Sequence, residues 1–336
     1  MTPERLRALV AEIFVRAGMV EDNARTVAEV LVWAELRGMG SHGVMRVPRY
    51  VEWMRRGDLN GRPEMKTRES GATISVDADR AAGPVAMVHA AERAVAKARE
   101  TGVALALVRS TTHTGAIGYY TQLGARGGMA TIAITASVPN MAYHGARAAG
   151  VSTAPLSIAV PGDDEPLALD MGSGVISVGK LAQARRSGER LAEGSALDSA
   201  GNPTTDARSA SIPLPLGGPK GSGLALLIEC LSSLLAGNPI LAEALEGTPK
   251  GKRHYQNALL IAIDVARFLP LPEFKQQVKR LIRAIKALPA QPGAEILVPG
   301  ERGARSAQQT SDIRLPPSVL DELRALAASL GVQVSA

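Results

Sequence analysis

The feature that most constrains the fold is an alternation of short apolar runs with helical patterns, which begins at Thr73 and continues through most of the chain. The apolar runs, which are rich in β-branched residues, occupy residues 73–76, 103–108, 130–135, 156–160, 167–170, 258–263 and 295–298. The helical patterns among them occupy residues 84–99, 117–126, 223–235 and 273–288. Such alternation is typical of an α/β fold, and the nearly unbroken apolarity of the runs predicts strands that are covered on both faces.

Helical patterns dominate the two ends of the chain. Apolar residues recur at helical spacing in residues 3–17, 21–36 and 317–330. Pro48 is well placed to begin a further short helix that ends near Arg56. The ends are therefore expected to pack together, around whatever the middle of the chain forms.

These patterns predict two domains. Residues 1–70 plus 305–336 are expected to form a helical domain built from both chain ends, and residues 71–304 an inserted α/β domain. Within the inserted domain, residues 223–290 are expected to form a partly helical subdomain. The polar segment 185–206 is expected to be a loop.

Composition excludes several classes of protein. The 336 residues carry a net charge of +6, but the basic residues are scattered and aromatic residues make up only 3%, which argues against a nucleic-acid partner. The first residues are charged and are not followed by an apolar leader, and no uncharged run reaches the roughly 18–20 residues that a membrane span needs. With Cys230 as its one cysteine, the chain is expected to be a soluble cytoplasmic protein.

The glycine pattern at residues 38–43, Gly-Met-Gly-Ser-His-Gly, has the spelling of a dinucleotide-binding fingerprint. That fingerprint requires a strand before it and a helix that opens within it, because the pyrophosphate binds at the helix N-terminus. Here a helical pattern precedes the glycines, and Pro48 delays the next helix. A cofactor role for this loop is therefore rejected.

The same loop is a better candidate for a carboxylate substrate. His42 lies near Arg46 in sequence, with the hydroxyls of Ser41 and Tyr50 close by. An arginine grips a carboxylate with two parallel hydrogen bonds, and a histidine can supply the proton that accompanies hydride transfer to a carbonyl. The ordinary alternative has His42 capping a turn and Arg46 paired with a surface acid.

Two further glycine-containing segments follow predicted strands or precede predicted helices. His113 lies in the loop after the run at 103–108, where α/β proteins often bind ligands, although a histidine there can also serve as a helix cap. Gly218 and Lys220 lie just before the helical pattern at 223–235, so exposed backbone N–H groups, the helix N-terminus and the lysine could hold a phosphate. Neither segment is specific by itself.

Asp170 ends the run at 167–170 and is the carboxylate best placed to orient a histidine. The remaining histidines, His89, His144 and His254, show no partner pattern, and no spacing of His, Cys, Asp and Glu predicts a metal site.

Taken in order, six segments resemble the type 2 malate/L-lactate dehydrogenases, a family that includes ureidoglycolate dehydrogenase, 2,3-diketo-L-gulonate reductase, sulfolactate dehydrogenase and piperideine/pyrroline-2-carboxylate reductase. The matching segments begin at Ser41, His113, Pro139, Leu169, Pro215 and Val298. Each is weak alone, but six in the right order span essentially the whole chain.

The resemblance implies a fold that binds NAD or NADP without a Rossmann domain, and a homodimer or larger assembly. It implies that His42 is the proton donor, with His113 as a rival, and that Arg46 binds the substrate carboxylate. It also implies a set of cofactor contacts: Ser137, Asp170, Met171, Gly172, Ser173, Gly218, Lys220, Pro299, Gly300 and Glu301.

The chain departs from the family where members usually read Gly-Thr-Asn-Pro, since it has Ser152, Thr153, Ala154 and Pro155 instead. Thr153 is kept and is a candidate substrate contact. The resemblance therefore implies hydride transfer between NAD(P)H and C2 of a small 2-oxo or 2-hydroxy acid. A cyclic imino acid is the alternative substrate, and an inactive NAD(P)-binding protein is the alternative of another class.

Overall fold

The computed structural model describes residues 1–248 and 255–333. Its helices are α1 (Pro3–Arg16), α2 (Glu21–Leu36), α3 (Val47–Arg55), α4 (Gly83–Thr101), α5 (Gly118–Arg126), α6 (Val178–Ser187), α7 (Pro219–Glu229), α8 (Leu241–Leu245), α9 (Leu271–Lys286), α10 (Glu301–Gln309) and α11 (Pro317–Ser329). Tight 3-10 turns cover Gly40–His42, Val44–Arg46 and Val265–Arg267, and a π-helical turn covers Cys230–Leu234. His254 lies outside the described residues.

The strands are β1 (Lys66–Ser70), β2 (Thr73–Asp77), β3 (Val103–Thr111), β4 (Met129–Ser137), β5 (Met141–Ala142), β6 (Ala149–Val151), β7 (Leu156–Val160), β8 (Leu167–Met171), β9 (Ala196–Asp198), β10 (Pro203–Thr204), β11 (Ala210–Pro213) and β12 (Gln256–Asp264). Seven of them form one sheet in the order β1-β2-β3-β12-β4-β7-β8. Within the described residues, β2 and β3 are its only parallel neighbours. This mixed sheet is unlike the parallel sheet of a Rossmann domain.

Protein covers the central strands on both faces, as their apolarity predicts. Ala104, Ala106 and Val108 of β3 point into a large core that helices α1, α2 and α4 share. The alternate residues Leu105 and Leu107 pack on the opposite face, in a smaller core that includes residues of α7. Side chains of one strand alternate between its two faces, so a continuous apolar run supplies apolar side chains to the cores on both faces.

The ends of the chain pack together, as expected. The N–H of Ile313 donates to the carbonyl of Met1 at 2.9 Å, and α11 packs against α3. Val319 and Leu323 of α11 are buried in the same core as the sheet. One core therefore runs through both the terminal helices and the sheet. The division into a terminal and an inserted domain stays a prediction.

Two local predictions are wrong. Residues 295–298 are not a strand within the described sheets; the N–H of Val298 donates instead to the carboxylate of Glu301, in the turn that begins α10. Segment 185–206 is not a simple loop, because it contains the end of α6 as well as β9 and β10. Its small residues had indicated a loop, but Leu191 and Ala196 are buried in a separate small core.

Among the described residues, no helix is both long enough and apolar enough to cross a lipid bilayer.

Candidate active site

Residues 40–46 join α2 to α3 through two tight turns. Helix α2 ends at Leu36, so the glycines at 38–43 follow a helix, and the reason for rejecting the dinucleotide fingerprint is confirmed. The N–H of Val44 donates to Glu35 Oε1 at 2.8 Å. A Cβ on Gly43 would lie 2.0 Å from the same oxygen, so any other residue here would displace the Glu35 carboxylate.

His42 is held by its sequence neighbour. Its Nδ1 lies 3.0 Å from Ser41 Oγ, so the hydroxyl orients the ring and leaves Nε2 for another partner. Burial and, to a smaller extent, the positive charge of Arg46 together lower the pKa of His42 to about 4. The ring is therefore neutral at pH 7 before any ligand binds.

Arg46 donates from Nε to the carbonyl of Ser41 at 2.7 Å. No carboxylate of residues 1–248 or 255–333 forms an ion pair with it, so the alternative of a surface ion pair finds no support in this part of the chain. Burial lowers the pKa of Arg46 from its usual value. A half-buried guanidinium without an anion is well suited to bind one.

His113 lies beside this loop although it is 71 residues further along the chain. Its Nδ1 is 2.7 Å from the hydroxyl of Tyr50, which also donates to the carbonyl of His113 at 3.0 Å. Tyr50 is fully buried, so the structure favours a role in holding His113 over the contact with substrate predicted from sequence. The rings of His42 and His113 stack with centroids 5.7 Å apart.

The two histidines that compete for the role of proton donor are therefore neighbours in space. Ser41, His42, Arg46, Tyr50 and His113 form one group, which we call the histidine cluster. The cluster combines a cation that can bind the carboxylate of a substrate with two imidazoles, either of which can donate a proton to that substrate.

Asp170 is the second-last residue of β8 and accepts a hydrogen bond from the N–H of Gly118, at the start of α5, at 2.8 Å. The surrounding protein raises the pKa of Asp170 to about 6 and the hydrogen bond from Gly118 opposes that shift, although the side chain remains accessible to solvent. The structure thus places its carboxylate at the N-terminus of α5. Its predicted role in orienting a histidine stays a prediction.

Several predicted cofactor residues meet at a second place. The N–H of Leu216 donates to the carbonyl of Ser173, and the N–H of Ser173 donates to the carbonyl of Thr153, each at 2.9 Å. Gly218 has a φ of +62°, which turns the chain into α7, and the exposed Lys220 lies in the first helical turn. This group, residues 171–173 with 215–220, is the phosphate-loop candidate.

The other cofactor candidates lie around the same strand and its neighbours. The carbonyl of Pro299 accepts from the N–H of Ala168 in β8 at 3.4 Å, so Pro299, Gly300 and Glu301 lie near the beginning of β8. Met171 is the last residue of β8, and Gly172 and Ser173 follow it. Ser137 ends β4, and its hydroxyl donates to the carbonyl of Val138 at 3.4 Å.

These residues fit a nicotinamide dinucleotide. The hydroxyl of Ser173 is buried and has no hydrogen-bond partner among the described residues, and it adjoins the loop of Gly218 and Lys220. An orphaned hydroxyl, a helix N-terminus and a lysine are suitable partners for a phosphate or an amide. Among the described residues, no group of three or more His, Cys, Asp or Glu is arranged to hold a metal ion.

Glu35 was missed by the sequence analysis, because a glutamate in an amphipathic helix normally faces water. Burial raises its pKa to about 7, while its hydrogen bond from Val44 opposes that shift. Nothing in the local sequence identifies it, apart from the closely following glycines that allow the loop to cover it.

The raised pKa of Glu35 predicts a change of stability with pH. The folded chain holds a proton that the unfolded chain releases above pH 4.5, so this stabilisation is complete below pH 4.5 and is lost as the pH rises through about 7. Glu35→Gln should remove a dependence on the order of 2–3 kcal/mol. Urea unfolding of both proteins at pH 5 and pH 8 measures it; the exposed Glu92→Gln is the control, and equal slopes in wild type and Glu35→Gln would contradict the pKa.

Comparison with known proteins identifies the family of the chain. Residues 1–324 match the sequence model of the malate/L-lactate dehydrogenase family. L-sulfolactate dehydrogenase of Methanocaldococcus jannaschii is 35% identical over 99% of this chain and 98% of its own. Its solved structure aligns with a TM-score of 0.89, at 34% identity over 99% of this chain and 97% of that one.

Other relatives differ in substrate and cofactor. Ureidoglycolate dehydrogenase (NAD(+)) of Escherichia coli is 35% identical over 89% of this chain and 86% of its own. (2R)-3-sulfolactate dehydrogenase (NADP(+)) of Chromohalobacter salexigens is 32% identical over 93% of each chain. The solved delta1-piperideine-2-carboxylate reductase of Pseudomonas syringae aligns with a TM-score of 0.85, at 27% identity over 97% of this chain and 99% of that one.

These matches span the whole of the described fold, and they include relatives that use each of the two nicotinamide dinucleotides. The chain therefore belongs to the malate/L-lactate dehydrogenase family and is an NAD(P)-dependent oxidoreductase.

Proposed function

We propose that the protein transfers hydride between NAD(P)H and C2 of a small 2-oxo or 2-hydroxy carboxylic acid, in the histidine cluster. The observation that carries the proposal is the half-buried guanidinium of Arg46, which pairs with no described carboxylate and lies beside two stacked imidazoles. Arg46 would bind the carboxylate of the substrate. His42 would give the oxygen at C2 its proton, with His113 as the alternative donor.

The bound nicotinamide would supply the hydride from its C4. Ser173, Gly218 and Lys220 would hold its phosphates, with Ser137, Asp170, Met171 and Gly172 contributing along the ends of β4 and β8. Pro299, Gly300 and Glu301 would contact it at the other end of β8, and Thr153 would contact the substrate. The hydride would thus come from the cofactor, and the proton from His42 or, as the alternative, from His113.

A spectrophotometric panel tests this proposal. The protein is mixed with NADH or NADPH and with one substrate at a time: sulfopyruvate, oxaloacetate, pyruvate or pyrroline-2-carboxylate. The absorbance of the reduced nicotinamide is then followed, and its loss reports turnover. Turnover of a 2-oxo acid is expected. Turnover of the imine alone would replace the proposal with a cyclic imino acid reductase, an alternative that the likeness to the piperideine carboxylate reductase supports.

An inactive NAD(P)-binding protein is the alternative of another class. It rests on the segment in which this chain departs from the family's usual Gly-Thr-Asn-Pro. There the hydroxyl of Ser152 accepts a hydrogen bond from the N–H of Ala154 at 3.3 Å. Tight NAD(P)H binding with no turnover across a broad panel would favour it.

We also propose that the protein is a cytoplasmic homodimer. Four leucines from α7 to the residue after the π-helical turn are at least half exposed: Leu227, Leu231, Leu234 and Leu235. Four such side chains within nine residues form an apolar surface of the kind that subunits bury.

The homodimer predicts a mass of two chains in light scattering. Leu231→Glu combined with Leu235→Glu should shift the mass toward one chain, because charges would then face the interface. Val15→Glu, an exposed position of α1 on the other side of the sheet, is the matched control and should leave the mass unchanged. A monomeric wild type would end this proposal.

A further inference from the structure

His113 lies in the segment of residues 110–114, whose first residue has a strained backbone. Ser110 has a φ of +57°, a left-handed conformation that costs a non-glycine residue on the order of 1 kcal/mol or more. It lies where the pairing of β12 with β3 shifts register between Gln256 and Ala258. Strain of this kind persists only where the surrounding contacts impose it.

Asn257 imposes it at the first end of the segment. Its Oδ1 accepts from the N–H of Ser110 at 3.0 Å and from Asn238 Nδ2 at 2.8 Å. Its Nδ2 donates to Ser233 Oγ at 3.0 Å and to the carbonyl of Asn238 at 2.8 Å. Asn257 is fully buried, so these partners hold its amide in one orientation.

Gln256 holds the second end. Its Oε1 accepts from both the N–H and the hydroxyl of Thr114, each at 2.8 Å, and the side chain is 8% exposed. Between the two ends, the hydroxyls of Thr111 and Thr112 each donate to the carbonyl of Ala81 at 3.1 Å. The backbone around His113 is therefore bound on both sides by side chains of one strand.

We propose that Gln256 and Asn257 are positioning residues for His113, acting through the backbone of residues 110–114. They place its ring where Nδ1 reaches Tyr50 and where the ring stacks on His42. The functional importance of this placement rests on the proposed function, but the placement itself does not. Catalytic groups displaced by about 1 Å can lose a hundredfold in rate, so hydrogen bonds that fix them matter far beyond their own strength.

Gln256→Met tests the proposal, because methionine keeps the shape of the side chain and removes the acceptor. It should lower kcat about ten- to hundredfold and leave the affinity for NAD(P)H unchanged. Gln256→Glu keeps the acceptor for Thr114 and should restore most of the rate. Gln122→Met is the matched control, since Gln122 is 5% exposed and bonds only to Arg126 among the described residues; its kcat should stay at the wild-type value.

A double-mutant cycle shows whether Gln256 acts through His113. In a His113→Ala background, Gln256→Met should cost almost nothing more, whereas a general loss of stability would multiply the two effects. NMR of ¹⁵N-labelled histidine gives a readout without turnover: the ring signals of His113, assigned by their absence in His113→Ala, should shift in Gln256→Met and not in Gln122→Met.

Multiplicative kcat losses with an unchanged His113 signal would overturn the positioning role. A shifted signal together with full activity of His113→Ala would support the positioning role and reject His113 as a participant in the proposed reaction. A shifted signal with no turnover on any substrate would support it while contradicting the proposed function.

Discussion

His42→Ala is expected to lower kcat by about a hundredfold or more, while the affinity for NAD(P)H stays as it was. The reason is that the ring lies beside the arginine that would bind the substrate, and Ser41 fixes its Nδ1. Stopped-flow or steady-state kinetics measures the rate, and fluorescence of the reduced cofactor measures its binding. His89→Ala is the matched control, because His89 lies on α4 and bonds to Thr67 away from the cluster.

The pH profile adds a second measurement to the same variant. The pKa of about 4 applies to His42 beside an unneutralised Arg46. A substrate carboxylate on Arg46 would cancel that charge and raise the pKa of His42 in the complex. Since reduction consumes the protonated ring, kcat in that direction should fall as the pH rises through this pKa, and oxidation should show the opposite trend.

His113→Ala decides between the two histidines. If His42 is the donor, His113→Ala should cost less and should keep the pH profile of kcat. Unchanged turnover in His42→Ala, with the profile lost in His113→Ala, would transfer the role of donor to His113.

Arg46→Ala is expected to lower kcat/KM for carboxylate substrates by about a hundred- to a thousandfold, as when one partner of a buried charge pair is removed. Arg46→Lys should recover only part of this, because lysine keeps the charge but cannot form two parallel hydrogen bonds. Cofactor affinity should be unaffected in both.

The neighbouring Arg49→Ala is the control for a general loss of positive charge. Arg49 is exposed and pairs with Glu52, so its removal should leave kcat/KM within about twofold. An equal loss of NAD(P)H binding in Arg46→Ala would contradict its role as the carboxylate ligand.

Local periodicity was enough to predict most of the elements. The bounds of α2 and β7 agree with the predicted ranges 21–36 and 156–160, because a long amphipathic pattern and a β-branched run each admit one interpretation. The order of the strands in the sheet could not be predicted from the sequence, since nothing near residues 256–264 indicates that this strand lies between β3 and β4.

The same limit applies to the site. The pattern of residues 41–50 identified His42 and Arg46. Only the tertiary structure shows that His113 stacks on His42 and that the hydroxyl of Tyr50 hydrogen-bonds to His113. Asp170 was chosen for its place at a strand end, yet its hydrogen bond goes to the start of α5. Glu35 and Gln256 each accept a hydrogen bond from a backbone N–H, and the pattern of side chains in one sequence does not show which backbone groups need such a partner.

The position of β12 has a consequence for how the protein is made. Its two neighbours β3 and β4 are complete by residue 137, but the strand that joins them is synthesised only at residues 256–264. Until then a growing chain on the ribosome exposes two unpaired, apolar strand edges for the time needed to translate more than a hundred codons. The same late strand holds the loop of His113, so the sheet and the catalytic site are both completed only after residues 256–264 have been translated.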